Sequence, residues 1–125
     1  MPKLVIVRGI PGSGKSTIAK KLFPKYLHCE ADQYFEGIDG GYNWKASEVP
    51  NAHAWCQSSA MEGLSLGMDV IVTNTFVRKQ DMKPYLDMAE KFNAEVTVII
   101  ANSNFKDIHN VPESVVEHMR NSFEY

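Results

Sequence analysis

Eight consecutive residues, Gly9-Ile10-Pro11-Gly12-Ser13-Gly14-Lys15-Ser16, carry the strongest chemical signal in the chain. They fit Gly-x4-Gly-Lys-Ser/Thr, a loop that wraps phosphate. Backbone N–H groups can turn inward onto phosphate oxygens only where no Cβ blocks the path, which is why glycine recurs. Lys15 adds a cation at the β- and γ-phosphates, and the Ser16 hydroxyl suits Mg²⁺. A helix starting here presents its positive dipole end to the same anion. The implied ligand is a nucleotide. Its candidate contacts are Gly9, Pro11, Gly12, Ser13, Gly14, Lys15 and Ser16.

Asp32 is the second informative residue, because it follows a short strand-like segment. Phosphoryl transfer to a hydroxyl needs a positioned carboxylate that accepts the proton or helps to hold the metal. Asp32 is either that group or a capping or solvated loop aspartate. Thr73, Asn74 and Thr75 follow a later apolar run, where many phosphate-transferring proteins with this loop place a metal-directing aspartate. No aspartate stands there. Asn74 and Thr75 either orient a water or a phosphate, or only complete a turn.

The three arginines are Arg8, Arg78 and Arg120. Arg78 lies just past Asn74-Thr75. It either reaches over to stabilise charge on a moving phosphoryl group or is solvated before the next helix. Arg120 either approaches the nucleotide or is solvated on the last helix. Arg8 reads as a packing or hydrogen-bonding residue beside the loop. Tyr34 and Phe35, directly after Asp32, either stack on a base or pack. His53, Trp55 and Gln57 belong to a long helix, on which residues two apart face different directions. One of them lines an acceptor groove, or all serve core and surface. Met61, Met68, Met82, Met88 and Met119 read as core filler. His28, His109 and His118 show no metal-ligand spacing.

The elements that must position these groups alternate. Residues 4–7 form an apolar, β-branched run expected to be a central parallel strand. A helix is expected over 16–23, ended by Pro24, with Ile18, Ala19, Leu22 and Phe23 turned to the sheet. A shorter, more polar strand is expected over 26–30, followed by a turn-rich loop over 36–45. A long helix is expected over 47–66, with Pro50 in its first turn and Gly67 closing it. A third strand is expected over 69–73. A helix over 81–92 is expected to start at Asp81 as N-cap, with Met82, Tyr85, Leu86, Ala89 and Phe92 inward. The fourth strand spans 96–100, and a helix from Pro112 to about residue 123 ends the chain.

This βαβαβαβα order predicts an α/β fold with a mainly parallel four-stranded sheet and helices on both faces. Three strands are apolar throughout, as doubly covered strands are, while 26–30 suits an edge. Ligands in such sheets bind at the carboxyl ends of the strands. That rule brings the loop, Asp32, Asn74 and the segment after Ile100 to one rim.

Composition sets the outer limits. The 125 residues suit one domain, 1–125. The apolar share of 44% and charged share of 22% are those of a soluble globular chain. A net charge of −2 argues against a protein that coats nucleic acid, but leaves room for binding a strand end in a local groove. Cys29 and Cys56 are too few for a disulfide framework or a zinc site and read as buried thiols of a reducing compartment. The first apolar run is too short for a signal or membrane segment, so a cytoplasmic protein without membrane association is expected.

These residues resemble the small P-loop kinases related to the phage polynucleotide 5′-kinase domain. The likeness runs through nearly the whole chain. Its anchors are Val7 to Thr17, Ala31-Asp32-Gln33-Tyr34-Phe35, Ala52 to Gln57, Asn74-Thr75, Met82-Lys83-Pro84-Tyr85, His109-Asn110-Val111-Pro112 and Met119-Arg120. The resemblance implies the three-layer sandwich of P-loop NTPases, with ATP and Mg²⁺ as cofactors. It implies phosphate and metal contacts for Lys15 and Ser16, an α-phosphate contact for Thr17, and the acceptor-activating base at Asp32. The acceptor it implies is a hydroxyl, of a nucleic-acid 5′ end or of a nucleoside. Catalysis falls to Lys15, Asp32 and Arg78, the metal to Ser16 and Asp32, and a nucleotide contact to Arg120. Two features depart from the family: the missing aspartate after the third strand, and residues 103–110, which hold Lys106 and His109 but no arginine. A nucleotide-binding or slowly hydrolysing regulatory protein is therefore the alternative.

Overall fold

A computed structural model describes residues 1–36, 41–102 and 113–125. In chain order these form β1 (Lys3–Arg8), α1 (Lys15–Leu22), β2 (Leu27–Cys29), a 3₁₀ turn (Ala31–Phe35), α2 (Val49–Ser65), β3 (Val70–Asn74), α3 (Lys83–Lys91), β4 (Glu95–Ile100) and α4 (Glu113–Ser122). Short 3₁₀ turns, Ala46–Glu48 and Lys79–Met82, lead into α2 and α3.

The four strands run in the order β2-β3-β1-β4, and all their pairings are parallel. The apolar runs of β1 and β3 occupy the two central places because both of their faces can be buried. Alternate side chains divide between two cores. Leu4, Ile6, Val70 and Val72 meet Cys56, Ala60 and Leu64 of α2 and Tyr85 and Met88 of α3. Val5, Val7 and Ile71 face the other way, onto Ala19 of α1, with Ile18 and Phe23 beside it. Each fully buried aliphatic side chain contributes about 1.5–3 kcal/mol. The register aligns the strand ends: Arg8 stands beside Asn74 on one side and Ile100 on the other, so the three strands finish together at one rim.

Several local expectations shift. β4 is apolar in sequence, yet Val96, Val98 and Ile100 are 37%, 44% and 39% exposed. Among the described residues β4 pairs only with β1, so it is an edge strand rather than a doubly covered one. Leu22 is exposed while Ile18, Ala19 and Phe23 pack. The helix expected over 81–92 begins at Lys83, because 79–82 wind as a 3₁₀ turn in which Asp81 Oδ2 accepts the Arg78 N–H at 3.0 Å. Its inner stripe then runs through Met82, Tyr85, Met88 and Ala89, and Leu86 faces solvent. Pro50 and Pro84 sit in the first turns of α2 and α3, where a missing N–H costs little. Residues 37–40 of the expected 36–45 loop, the 103–110 segment with Lys106 and His109, and Pro112 lie outside the described residues.

Cys29 and Cys56 are buried and free. Burial, then the neighbouring Cys56, pushes the Cys29 thiol up to about 12, and burial also raises Cys56. Both behave as small apolar groups, not as nucleophiles. No described helix is long and apolar enough to cross a membrane.

β2 is tied to its neighbour by a side-chain bond between His28 Nε2 and Thr73 Oγ1, 2.6 Å. Burial, and secondarily Lys20, lowers the His28 pKa below its ordinary 6.5. The unfolded chain therefore binds this proton more readily than the folded one, and stability falls as pH drops through about 6.5. Urea unfolding should give a larger free energy at pH 7.5 than at pH 5.5, and His28→Gln should flatten that difference. An unchanged pH slope in the variant would contradict the assignment.

Candidate nucleotide-binding and acceptor site

The loop between β1 and α1 is anchored at the strand ends. Gly9 N–H donates to Thr75 O at 3.2 Å, and Ala101 N–H to Arg8 O at 2.7 Å. A Cβ on Gly9 would stand 2.2 Å from Ser13 Oγ and 2.8 Å from the Ala101 carbonyl, so no side chain fits there. Gly12 and Gly14 have φ of 81° and 94°, a conformation that glycine adopts without strain. Ser13 is buried beneath the loop, and its N–H donates to Ile10 O at 3.2 Å. Lys15 Nζ donates to Ile10 O at 3.0 Å, arching over the loop. Ser16 Oγ faces the Glu30 carboxylate at 3.3 and 3.5 Å. The arrangement is a backbone cradle at a helix N-terminus with one cation and one hydroxyl at its mouth, which suits a phosphate chain.

Asp32 belongs to the 3₁₀ turn that follows β2. The turn closes on itself: Glu30 N–H donates to Gln33 Oε1 at 3.1 Å, and Gln33 N–H to Glu30 O at 3.1 Å. Its start is fixed from the sheet, because Ala31 N–H donates to Asn74 Oδ1 at 2.9 Å in a buried setting. Tyr42 OH donates to Asp32 Oδ1 at 3.0 Å. Asp32 is thus two residues from the carboxylate that meets Ser16. Further out, Glu48 accepts from Asn51 and from Tyr34, which hold its carboxyl below the usual range, and Glu48 in turn raises the Tyr34 hydroxyl.

The arginines divide by role. Arg8 is buried at 2% exposure. Its Nε and Nη2 donate to Phe76 O at 3.1 and 2.9 Å, Nη2 also donates to Glu124 O, and its guanidinium lies 4.7 Å over the Phe123 ring. It packs the chain end against the sheet, as the sequence suggested. Arg120 pairs with Glu117 on α4 and lines an open cavity beside the loop, with Gly9, Ile10, Ala101, Asn102 and Phe123. Arg78 is exposed at the start of the Lys79–Met82 turn, and among the described residues no hydrogen bond joins it to the loop.

Thr73 and Asn74 do not face the loop's mouth as solvated polar groups. Thr73 is fully buried and bonds His28. Asn74 is 7% exposed, and its amide nitrogen also donates to Cys56 Sγ at 3.7 Å. Sequence reasoning missed Asn74 as a clamp, because its partner is remote in the chain. It also missed Glu30, which was counted as the end of a strand; its carboxylate two residues before Asp32 was the available signal. Tyr42 gave no signal, being one of many residues in a polar loop.

Fold and loop together define a P-loop nucleotide-binding protein of the α/β class. The family model described as an AAA domain (AAA_33) matches residues 4–104, and the chain belongs to that family. NEDD4-binding protein 2 of Homo sapiens is 35% identical over 97 residues, which is 74% of this chain and 5% of that protein. The bifunctional polynucleotide phosphatase/kinase of Schizosaccharomyces pombe is 24% identical, over 97% of this chain and 28% of that protein. The chain therefore spans from one twentieth to just over a quarter of the length of these relatives. Among solved structures, the Pnkp1/Rnl/Hen1 RNA repair complex contains a chain that superposes with a TM-score of 0.67 at 19% identity, covering 98% of this chain and 44% of that one. At that identity the likeness is one of fold.

The Asn74 clamp is open to measurement. Asn74→Ala removes the acceptor of a buried N–H, and a buried donor left unpaired costs about 1–3 kcal/mol. Urea unfolding should show a loss of that size. A change below about 0.5 kcal/mol, typical of uninvolved surface positions, would contradict the role.

Proposed function

We propose that this chain is an ATP- and Mg²⁺-dependent phosphotransferase acting on a hydroxyl acceptor, a polynucleotide 5′-hydroxyl or a nucleoside. The single observation that carries the reading is the placement of Asp32 in a clamped turn whose flanking residue, Glu30, touches Ser16 of the phosphate loop. Donor cradle and acceptor carboxylate then share one rim. Residues 1–125 act in this reading as one P-loop unit, and the two buried thiols support a reducing compartment such as the cytoplasm.

The roles follow from the chemistry. Gly9, Pro11, Gly12, Ser13, Gly14 and Thr17 shape the cradle for the phosphates. Lys15 exchanges the Ile10 carbonyl for β- and γ-phosphate oxygens. Asp32 takes the proton of the acceptor hydroxyl as its oxygen bonds to the γ-phosphorus. The bond from that phosphorus to the β–γ bridging oxygen breaks, and ADP leaves. Arg120, beside the cavity, contacts the nucleotide. Arg78 reaches the transferring group only if its side chain swings inward from its exposed turn.

The oxygens of Ser16, Glu30 and Asp32 fit Mg²⁺, which takes hard oxygen ligands and keeps several waters. Among the described residues no group of three His, Cys, Asp or Glu side chains that could hold a metal occurs, and in this reading the nucleotide's phosphates would share in holding the ion. When bound, the ion neutralises charge on the phosphates.

A regulatory nucleotide-binding protein with slow hydrolysis is the second reading. It is favoured by β3, whose end offers Thr73 and Asn74, both uncharged and engaged elsewhere. One assay separates the two: labelled ATP with 5′-hydroxyl oligonucleotides, nucleosides and nucleoside monophosphates. Transfer to one of these classes, with kcat reduced about 10²–10⁴-fold in Asp32→Asn, is expected of the kinase. Phosphate release with no labelled acceptor is expected of the alternative.

A further inference from the structure

We infer that Tyr34 and Trp55 form a stacking ledge for an unpaired nucleobase, which makes the acceptor a nucleoside-bearing end held with its hydroxyl toward Asp32. The inference rests on the phosphotransferase reading and adds to it the class of acceptor and the residues that select it.

Large aromatic rings normally bury their faces, yet Tyr34 and Trp55 are 38% and 39% exposed. They lie side by side with ring centroids 6.1 Å apart and planes inclined by 59°. Both are held in place. The Tyr34 hydroxyl donates to Glu48 Oε2 at 3.2 Å, and Asn51 Nδ2 donates to the same oxygen at 2.8 Å. From below, the buried Phe35 meets Tyr34 edge-on at 5.4 Å. Trp55 is carried on α2, whose Ala52 and Cys56 are buried in the core. Two large rings are thus pre-positioned and partly open to water.

Asp32 and Tyr34 belong to the same turn, Ala31–Phe35. Phe35 packs on Tyr42 at 6.1 Å, and Tyr42 OH donates to Asp32 Oδ1 at 3.0 Å. In this proposal a substrate that brings a hydroxyl to Asp32 lays its neighbouring group on these rings, two residues along the same turn. Every nucleobase offers a π-face, and stacking on aromatic side chains is the usual way to hold an unpaired one. Charge narrows the choice further. Glu30 and Asp32 stand at the turn that carries Tyr34, and Glu48 accepts the Tyr34 hydroxyl, with Lys45 acting on Glu48. Such a surface repels a run of phosphates laid along it. A terminal nucleoside whose 5′ position is a hydroxyl brings a flat neutral base and no terminal phosphate, which fits both the rings and the carboxylates.

The test uses short single-stranded 5′-hydroxyl oligonucleotides with either a normal or an abasic first nucleotide. With the normal end, Trp55→Ala should raise acceptor KM about tenfold, within the range expected for one stacked base, and Trp55→Phe should restore most of the loss. With the abasic end, the same substitution should move KM less than about twofold, since no base is left to stack. Tyr34→Ala should show the same pattern, and thermal melting checks that each variant folds. Binding is read separately in Trp44→Phe, where Trp55 is the remaining tryptophan of the two in the chain. Its fluorescence should be quenched by the normal oligonucleotide and not by the abasic one.

Equal KM changes on both ends, or no base-dependent quenching, would overturn the ledge. Base-dependent quenching without phosphorylation of any acceptor would leave the ledge standing and overturn the phosphotransferase reading. Phosphorylation with no base dependence would do the reverse.

Discussion

One buried hydrogen bond, from the Ala31 N–H to Asn74 Oδ1, joins the two halves of the candidate site. Asn74 is the last residue of β3 and stands beside Arg8, the last residue before the phosphate loop. Ala31 is the first residue of the turn that carries Asp32. A clamp between them sets the carboxylate turn at a fixed height relative to the loop. The contact of Ser16 with Glu30 and the chain of rings from Tyr42 to Trp55 inherit that height. An aspartate at position 74 would offer a charge to a metal. The asparagine instead uses its carbonyl on a backbone donor and its amide on Cys56.

Much of this was legible in the sequence because the signals were local. The Gly9–Ser16 pattern implies its own geometry, and the apolar runs of β1 and β3 imply central strands. The shared rim followed from the rule that ligands meet the carboxyl ends of parallel strands. What was not legible depended on partners far away in the chain. Asn74 and Ala31 are 43 residues apart, and nothing near either one marks the pair. Leu86 reads as inward but is exposed, because Tyr85, Met88 and Ala89 already fill the face that the helix turns to the core. β4 reads as fully covered because its residues are apolar, but burial is decided by neighbours, and the edge position leaves it open.

Family membership agrees with the loop and adds context. The chain covers only a small share of the length of its relatives. A pair of acidic residues flanks Ala31 in this chain. Glu30 engages the loop serine, while Asp32 is held by a tyrosine from the succeeding loop. The two carboxylates, two residues apart, therefore have different partners.

The most direct test of the shared donor and acceptor rim is a crystal structure with Mg²⁺ and a non-hydrolysable ATP analogue. The phosphates are expected against the N–H groups of the loop, with Lys15 Nζ moved from the Ile10 carbonyl to phosphate oxygens and the Asp32 carboxylate on the γ-phosphate side. A nucleotide bound elsewhere while Lys15 still holds Ile10, or a γ-phosphate facing away from Asp32, would contradict it.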